Sequence, residues 1–162
     1  MSGADDTAVI ELLDDPMARV DDLALLRERW AAEQGRTPHS GDPFRDDFTQ
    51  WVRHESSSRR FWLASVASEP VGMVNLLVFD RMPTVGKPGG GWGYLCNMYV
   101  DQTHRSAGLG ARLAEAVLDH ADTTGLERVV LNPTERSRPF YSSLGFAPAS
   151  NLLLRPRNQT GS

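Results

Sequence analysis

A single cysteine, Cys96, stands in 162 residues, which excludes an internal disulfide and any cysteine-based metal cluster. It lies between Leu95 and Asn97 in an apolar stretch and reads as a small buried thiol rather than a nucleophile. Histidines are few as well. His39, His54, His104 and His120 have neither a helical HxxxH spacing nor a nearby acidic pair, so no metal is expected. No apolar run approaches the ~20 residues of a membrane-spanning helix, and no basic region leads into an apolar one at the N-terminus. Positive charge is not in excess either: 17 Lys and Arg face 21 Asp and Glu, for a net charge of −4. This balance gives no reason to expect nucleic acid as a partner. The expectation is a cytoplasmic protein that binds neither nucleic acid nor membrane. Asn158-Gln159-Thr160 has the form of a glycosylation acceptor and, without a secretion signal, is read as accidental.

What is present is an ordinary globular composition, 40% hydrophobic and 23% charged, in a chain long enough for one domain with a sizeable core. The run Ala8 to Leu13 is a strand or a helical turn. Asp21 reads as the N-cap of a first helix, with Val20 and Leu25 as a hydrophobic staple and Leu23, Leu26 and Trp30 on one face, ending near Gly35. Asp42-Pro43 opens a second helix carrying Phe44, Phe48, Trp51 and Val52 at helical spacing. These aromatics are core residues, of which one or two can line a pocket. Phe61 to Val66 and Val71 to Phe79 form a hairpin, with Gly72 marking a close backbone approach or a bulge. Asp80 to Gly91 is a loop rich in glycine and proline, and Trp92 to Val100 is the next strand.

The stretch Met98 to Ala121 organises the rest. A strand ends at Val100, the glycines of Arg105-Ser106-Ala107-Gly108-Leu109-Gly110 follow, and a helix begins with Leu109, Leu113 and Val117 on one face. Gly125 closes it. Glycines at a helix N-terminus let backbone N–H groups converge on a ligand, and the helix dipole favours an anion there. Further on come a strand at Arg128 to Leu131 and a short helix with Ser137 as cap and Gly145 as terminator. Phe146 and Leu152 to Leu154 are placed in one or two final strands. The element order predicts an α/β three-layer domain with a mixed sheet.

Two motifs in this order, V-D-Q-x-x-R-x-x-G-x-G from Val100 and F-Y-x-x-L-G-F from Phe140, resemble the GNAT superfamily of acyl-CoA-dependent N-acetyltransferases. The resemblance covers about residues 18–155 of a single domain spanning 1–162. It implies a three-layer fold whose central mixed, mostly antiparallel sheet has six to seven strands, with the fourth and fifth splayed apart and a bulge near Asn97-Met98. It implies acetyl-CoA as co-substrate, no metal, and a small-molecule or peptide amine as acceptor, in an enzyme that is a candidate homodimer. The pyrophosphate would lie on Arg105, Ser106, Ala107, Gly108, Leu109 and Gly110, and the pantetheine arm along Met98, Tyr99 and Val100. A backbone N–H near Met98 or Tyr99 would polarise the thioester. Tyr141 matches the general acid that protonates the departing thiolate.

The chain departs from the family pattern in two places. Thr134 stands where relatives often carry Asn, so Asn132 or Ser137 is assigned the cofactor contact. The fourth strand offers no glutamate as base, which leaves a water relay held by Asn97, or a carboxylate from Glu33 or Asp80. Trp30, Glu33, Asp80 and Trp92 are the candidate acceptor-binding residues, with Trp30, Trp51 and Trp92 as an apolar wall. Two other classes compete with the enzyme. One is a catalytically weak acyl-CoA sensor of the same fold. The other is a nucleotide-binding α/β domain, which would need a P-loop lysine or a ribose-binding acidic residue that the chain lacks.

Overall fold

The computed structural model describes residues 7–157; Asn158-Gln159-Thr160 lies outside them. The chain divides into two compact units, residues 1–132 and 133–162. In chain order the first contains β1 (Val9–Leu12), α1 (Val20–Glu33), α2 (Phe44–Glu55), β2 (Arg59–Val66), β3 (Glu69–Asp80), β4 (Gly91–Val100), α3 (Leu109–Thr123) and β5 (Arg128–Val130). The second contains α4 (Arg138–Ser143). No helix among the described residues is long and apolar enough to cross a membrane.

The sheet of the first unit runs β1-β2-β3-β4-β5, antiparallel at the first three junctions and parallel between β4 and β5. Five strands form among the described residues, not the six to seven expected. Phe146 and Leu152 to Leu154 pair with no strand among the described residues, and Leu153 and Leu154 are 99% and 90% exposed. Three consecutive leucines have no period-2 alternation with which to choose a face, and Pro148 and Pro156 bracket them.

Alternation along β2 builds the core. Phe61 and Leu63 face α1 and α2, where they join Leu13, Leu23, Leu26, Val52, Met73 and Tyr99. Trp62 points the other way and meets His120 of α3 edge-on at 5.3 Å. The fully buried Leu113, Ala114 and Val117 cover that second face. Gly72 is a close approach: a Cβ there would lie 3.1 Å from Leu113 Cδ1 and 3.2 Å from the Tyr99 carbonyl oxygen. The hairpin turns at Ala67 and Ser68, whose positive φ of 48° and 67° match the right-handed twist of the strands.

The start of α1 differs from expectation. Asp15, not Asp21, caps the entry: its Oδ1 accepts the Met17 N–H at 3.0 Å and begins a turn of 3-10 helix, Pro16–Arg19, that leads straight into α1. Asp21 and Asp22 then sit in the first turn of α1, where they complement the dipole.

Candidate active site

The glycine-rich turn opens onto solvent. Asp101 Oδ1 accepts the Thr103 N–H at 3.1 Å and starts a short turn, Gln102–His104, after which Ser106 and Gly108 take positive φ of 71° and 74°. A Cβ on Gly108 would meet nothing within 4 Å, so glycine is needed there for its backbone conformation and not for space. Gly108 is also the N-cap of α3 and supplies no side-chain acceptor. The N–H groups of Ser106, Ala107 and Gly108 have no acceptor among the described residues. Those of Leu109, Gly110 and Ala111 open the helix and have no intrahelical partner. Together they form a concentrated set of donors at a positive helix end.

Arg105 does not extend over this turn. Its Nε donates to the Val100 carbonyl at 2.9 Å and its Nη2 to Glu33 Oε2 at 2.6 Å, while the guanidinium lies 5.7 Å from the Tyr99 ring centroid. Tyr99 donates its hydroxyl to Glu33 Oε1 at 2.6 Å and stacks on Trp30 at 5.6 Å. Glu33 is therefore engaged through both carboxylate oxygens. Burial works to raise its pKa, but hydrogen bonds from Tyr99 and Arg105, with the Arg105 charge, hold it below the ordinary value. It braces α1 to β4 and to the turn, and it is a poor base. Tyr99 is pushed well above the ordinary phenol range by burial and by the Glu33 carboxylate.

β4 carries the expected irregularity. Met73 pairs with Tyr99 and Asn75 with Cys96, so β4 has one residue more than β3 across this interval. Asn97 takes up the bulge with a φ of 56°. Beyond it, Asp101 N–H donates to the Val71 carbonyl at 2.8 Å. That register turns the Val100 N–H and carbonyl away from β3, toward the side on which β5 lies. The β5 ladder ends at Tyr94–Val130, while β4 continues to Val100.

A cavity of about 150 Å³ lies under α1 and α2 against this bulge, lined by residues that include Leu23, Arg27, Phe48, Trp51, Asn75 and Asn97. Asn75, a buried polar residue in an otherwise apolar strand, accepts at Oδ1 from Arg59 Nη1 (2.7 Å), Cys96 Sγ (3.3 Å) and Asn97 Nδ2 (3.4 Å). Arg59 is in turn ion-paired to Glu55 at 2.8 Å, and its charge and hydrogen bond help hold the Glu55 pKa low. Burial raises the Cys96 thiol despite Arg59 beside it, which fits an inert thiol. Asn97 Oδ1 and the Asn75 amide nitrogen have no partner among the described residues.

The expected acceptor residues do not assemble into one wall. Trp30 and Glu33 lie beside Tyr99, and Trp51 lines the cavity. Trp92 and Asp80 sit at the far end of β4, eight residues from Val100, or about 25 Å along a strand. There Trp92 is clamped between Arg81 and Arg128 at 4.5 and 4.3 Å, with Nε1 donating to Glu127 at 3.4 Å. Sequence reasoning missed Arg27, Arg59 and Asn75. The available signal was polarity out of place: Arg27 shares the apolar face of Leu23 and Trp30, and Asn75 interrupts a run of apolar residues.

In the second unit, Tyr141 is 9% exposed and meets Phe140 and Phe146 edge-on at 4.9 and 5.7 Å. Burial raises its pKa, and its hydroxyl has no hydrogen-bond partner among the described residues. The Ser137 hydroxyl is spent on Thr134, donating to its carbonyl at 3.1 Å and accepting from its Oγ1 at 3.0 Å. Asn132, the last residue of the first unit, is exposed and makes no side-chain hydrogen bond among the described residues.

Known proteins place this architecture in a class. Residues 23–146 match the Acetyltransferase (GNAT) family, and the chain belongs to that family. It is 33% identical over 76 residues to glucosamine 6-phosphate N-acetyltransferase of Trypanosoma brucei brucei, a match covering 47% of this chain and 50%, about half, of that protein. A predicted acetyltransferase from Clostridium acetobutylicum, crystallised with acetyl-CoA, superposes with a TM-score of 0.72 at 20% identity, over 93% of this chain and 96% of the other. A GCN5-related N-acetyltransferase from Ralstonia eutropha JMP134 gives 0.68 at 23% identity, over 92% and 98%. At these identities the structural likeness speaks for the fold alone.

Proposed function

We propose that the chain works as one acetyltransferase domain, transferring the acetyl group of acetyl-CoA to a primary amine by direct attack. The observation that carries this reading is the run of N–H groups from Ser106 to Ala111, unclaimed among the described residues, next to a β4 edge that has no described strand beside it past Tyr94. Such a run suits a pyrophosphate, and an open strand edge suits an extended pantetheine amide chain. The ladder end at Tyr94 and the Asn97 bulge support the splay of β4 from β5 that this mode of binding requires.

In the reaction the amine nitrogen forms a bond to the thioester carbon, the C–S bond breaks, and the thiolate takes a proton. Since the Tyr99 N–H faces β3, a backbone N–H near Met98, at the bulge, steadies the developing oxyanion. Tyr141, assigned by family resemblance, gives its proton to the thiolate, and a buried phenol of raised pKa keeps that proton until it is needed. No carboxylate lines the cavity. The amine proton therefore leaves through water held at the unpartnered Asn97 Oδ1. Asn132 takes the cofactor contact in preference to Ser137, whose hydroxyl is committed.

The test is calorimetric titration of acetyl-CoA followed by a thiol-release assay on a panel of amines. The panel includes glucosamine 6-phosphate, after the Trypanosoma relative. Binding and turnover support the enzyme. Binding with no turnover on any amine supports the sensor, which the lack of a carboxylate in the cavity would favour. Failure to bind acetyl-CoA refutes both.

A further inference from the structure

Arg27 is the one lining residue of the cavity whose charge the protein leaves unanswered. Its guanidinium lies 4.6 Å from the Trp30 ring centroid, held by that stacking, and has no hydrogen bond or ion pair among the described residues. The arginines around it are committed: Arg29 to Asp101 and the Pro70 carbonyl, Arg45 to Glu28, Arg59 to Glu55, Arg105 to Glu33. A guanidinium carries five donors and stays charged at any relevant pH. One that is stacked in place with its donors unused at the wall of a cavity is preorganised for an anion. The rest of the cavity describes what bears that anion. Leu23, Phe48, Trp51, Phe61 and Met73 make the lining mostly apolar. Its volume, about 150 Å³, matches that of an engineered apolar cavity that takes up benzene. The polar exceptions on the sheet side are Asn75 and Asn97, beside the β4 bulge.

We propose that the acceptor is a small amine carrying a carboxylate on an apolar body about the size of a six-membered ring, and that Arg27 is the specificity-determining residue that takes the carboxylate. This rests on the acetyl-transfer reading above. A carboxylate matches the guanidinium fork and its single charge. A phosphate dianion would bring a second charge into an apolar lining that offers one unpaired cation. A polyamine would set a second positive charge against Arg27. The amine then points toward Asn97, where its proton can leave, and the ring fills the space between Phe48, Trp51 and Met73.

The test compares phenylalanine, phenylalaninamide and phenethylamine as acceptors, with the glucosamine 6-phosphate of the panel, in the native protein and in Arg27→Gln and Arg27→Lys. The amide has the more weakly basic amine, so ionisation favours the amide and cannot create a preference for the carboxylate. We expect kcat/KM for phenylalanine to exceed that for the amide by about tenfold or more, as a charge-assisted hydrogen bond implies. Arg27→Gln should bring the ratio to within about twofold and Arg27→Lys should restore part of it. Equal rates for acid and amide, a preference for the sugar phosphate, or an Arg27→Gln loss that is the same for every amine overturns the proposal. So does acetyl-CoA binding with no turnover on any of these amines, which leaves the donor reading standing. Titration of phenylalanine into the protein judges the pocket without turnover: binding lost in Arg27→Gln supports the proposal, and no binding refutes it even where acetyl-CoA also fails to bind.

Discussion

Replacing Glu33 with glutamine isolates what the brace between α1, β4 and the turn contributes. The carboxylate accepts from Tyr99 and from Arg105, each at 2.6 Å. Glutamine keeps the shape without the charge: its one acceptor oxygen takes the Arg105 N–H and its amide N–H donates to the Tyr99 oxygen, so the Tyr99 bond becomes a neutral one. A hydrogen bond to a charged group is worth about 1.5–3 kcal/mol and a neutral one about 1, so the Tyr99 contact loses roughly 1 kcal/mol. The Arg105 side chain is 46% exposed, and an ion pair in that setting adds about 0.2–1 kcal/mol. Glu33→Gln should therefore cost about 1–2 kcal/mol in urea unfolding near neutral pH. Loosening of the turn should also weaken acetyl-CoA binding several-fold by calorimetry. The pH dependence has a definite sign. The folded-state pKa of Glu33 is depressed, so its contribution is fully present above the ordinary value of 4.5 and is lost as pH falls through the lower folded value. The stability gap between native protein and variant should be constant around neutrality and shrink below that value. A gap that is absent at neutral pH, or that persists undiminished near pH 3, refutes the brace.

Tyr141→Phe should lower kcat by about 10²–10⁴, the range of a lost general acid, with folding by circular dichroism unchanged. Gly108→Ala forces an L-residue into a φ of 74°, at about 1–2 kcal/mol. Since a Cβ there meets no neighbour, the cost should show as weaker acetyl-CoA binding in calorimetry through a rearranged turn, not as a packing defect. Leu113→Ala empties a fully buried site under the sheet and should cost about 2–5 kcal/mol in urea unfolding, with acetyl-CoA affinity changed far less.

What could be read in the sequence followed local rules. Gly125 announces a left-handed cap, and the periodicity of Leu109, Leu113 and Val117 announces the face that is buried. The bulge at Asn97 was legible only because the family motif fixes where β4 must open. Long-range partnering was not legible. Glu33 reaches Arg105 across 72 positions of sequence, and nothing local distinguishes it from a solvated acid at a helix end. Trp92 is a candidate for the acceptor wall because the family resemblance puts the acceptor beside the segment before β4, but Arg81 and Arg128 clamp it at the end of β4 away from the bulge. The C-terminal leucines looked like a strand on hydrophobicity, which says that a side chain prefers burial and not that a partner is there.

The bulge in β4 also decides which way the rest of that strand looks. Before it, Leu95 lies opposite Leu76 and Cys96 opposite Asn75, so even-numbered side chains share the face of the cavity. After it, Tyr99 lies opposite Met73, and an odd-numbered side chain takes that face. One inserted residue has reversed the parity of the strand. Without it, Tyr99 would point at α3, and Trp30 and Glu33 would lose their partner on the sheet. The acceptor cavity and the anion turn are thus set in phase by a single residue count, and a deletion at Asn97 would disconnect them while leaving every other side chain in the sequence unchanged.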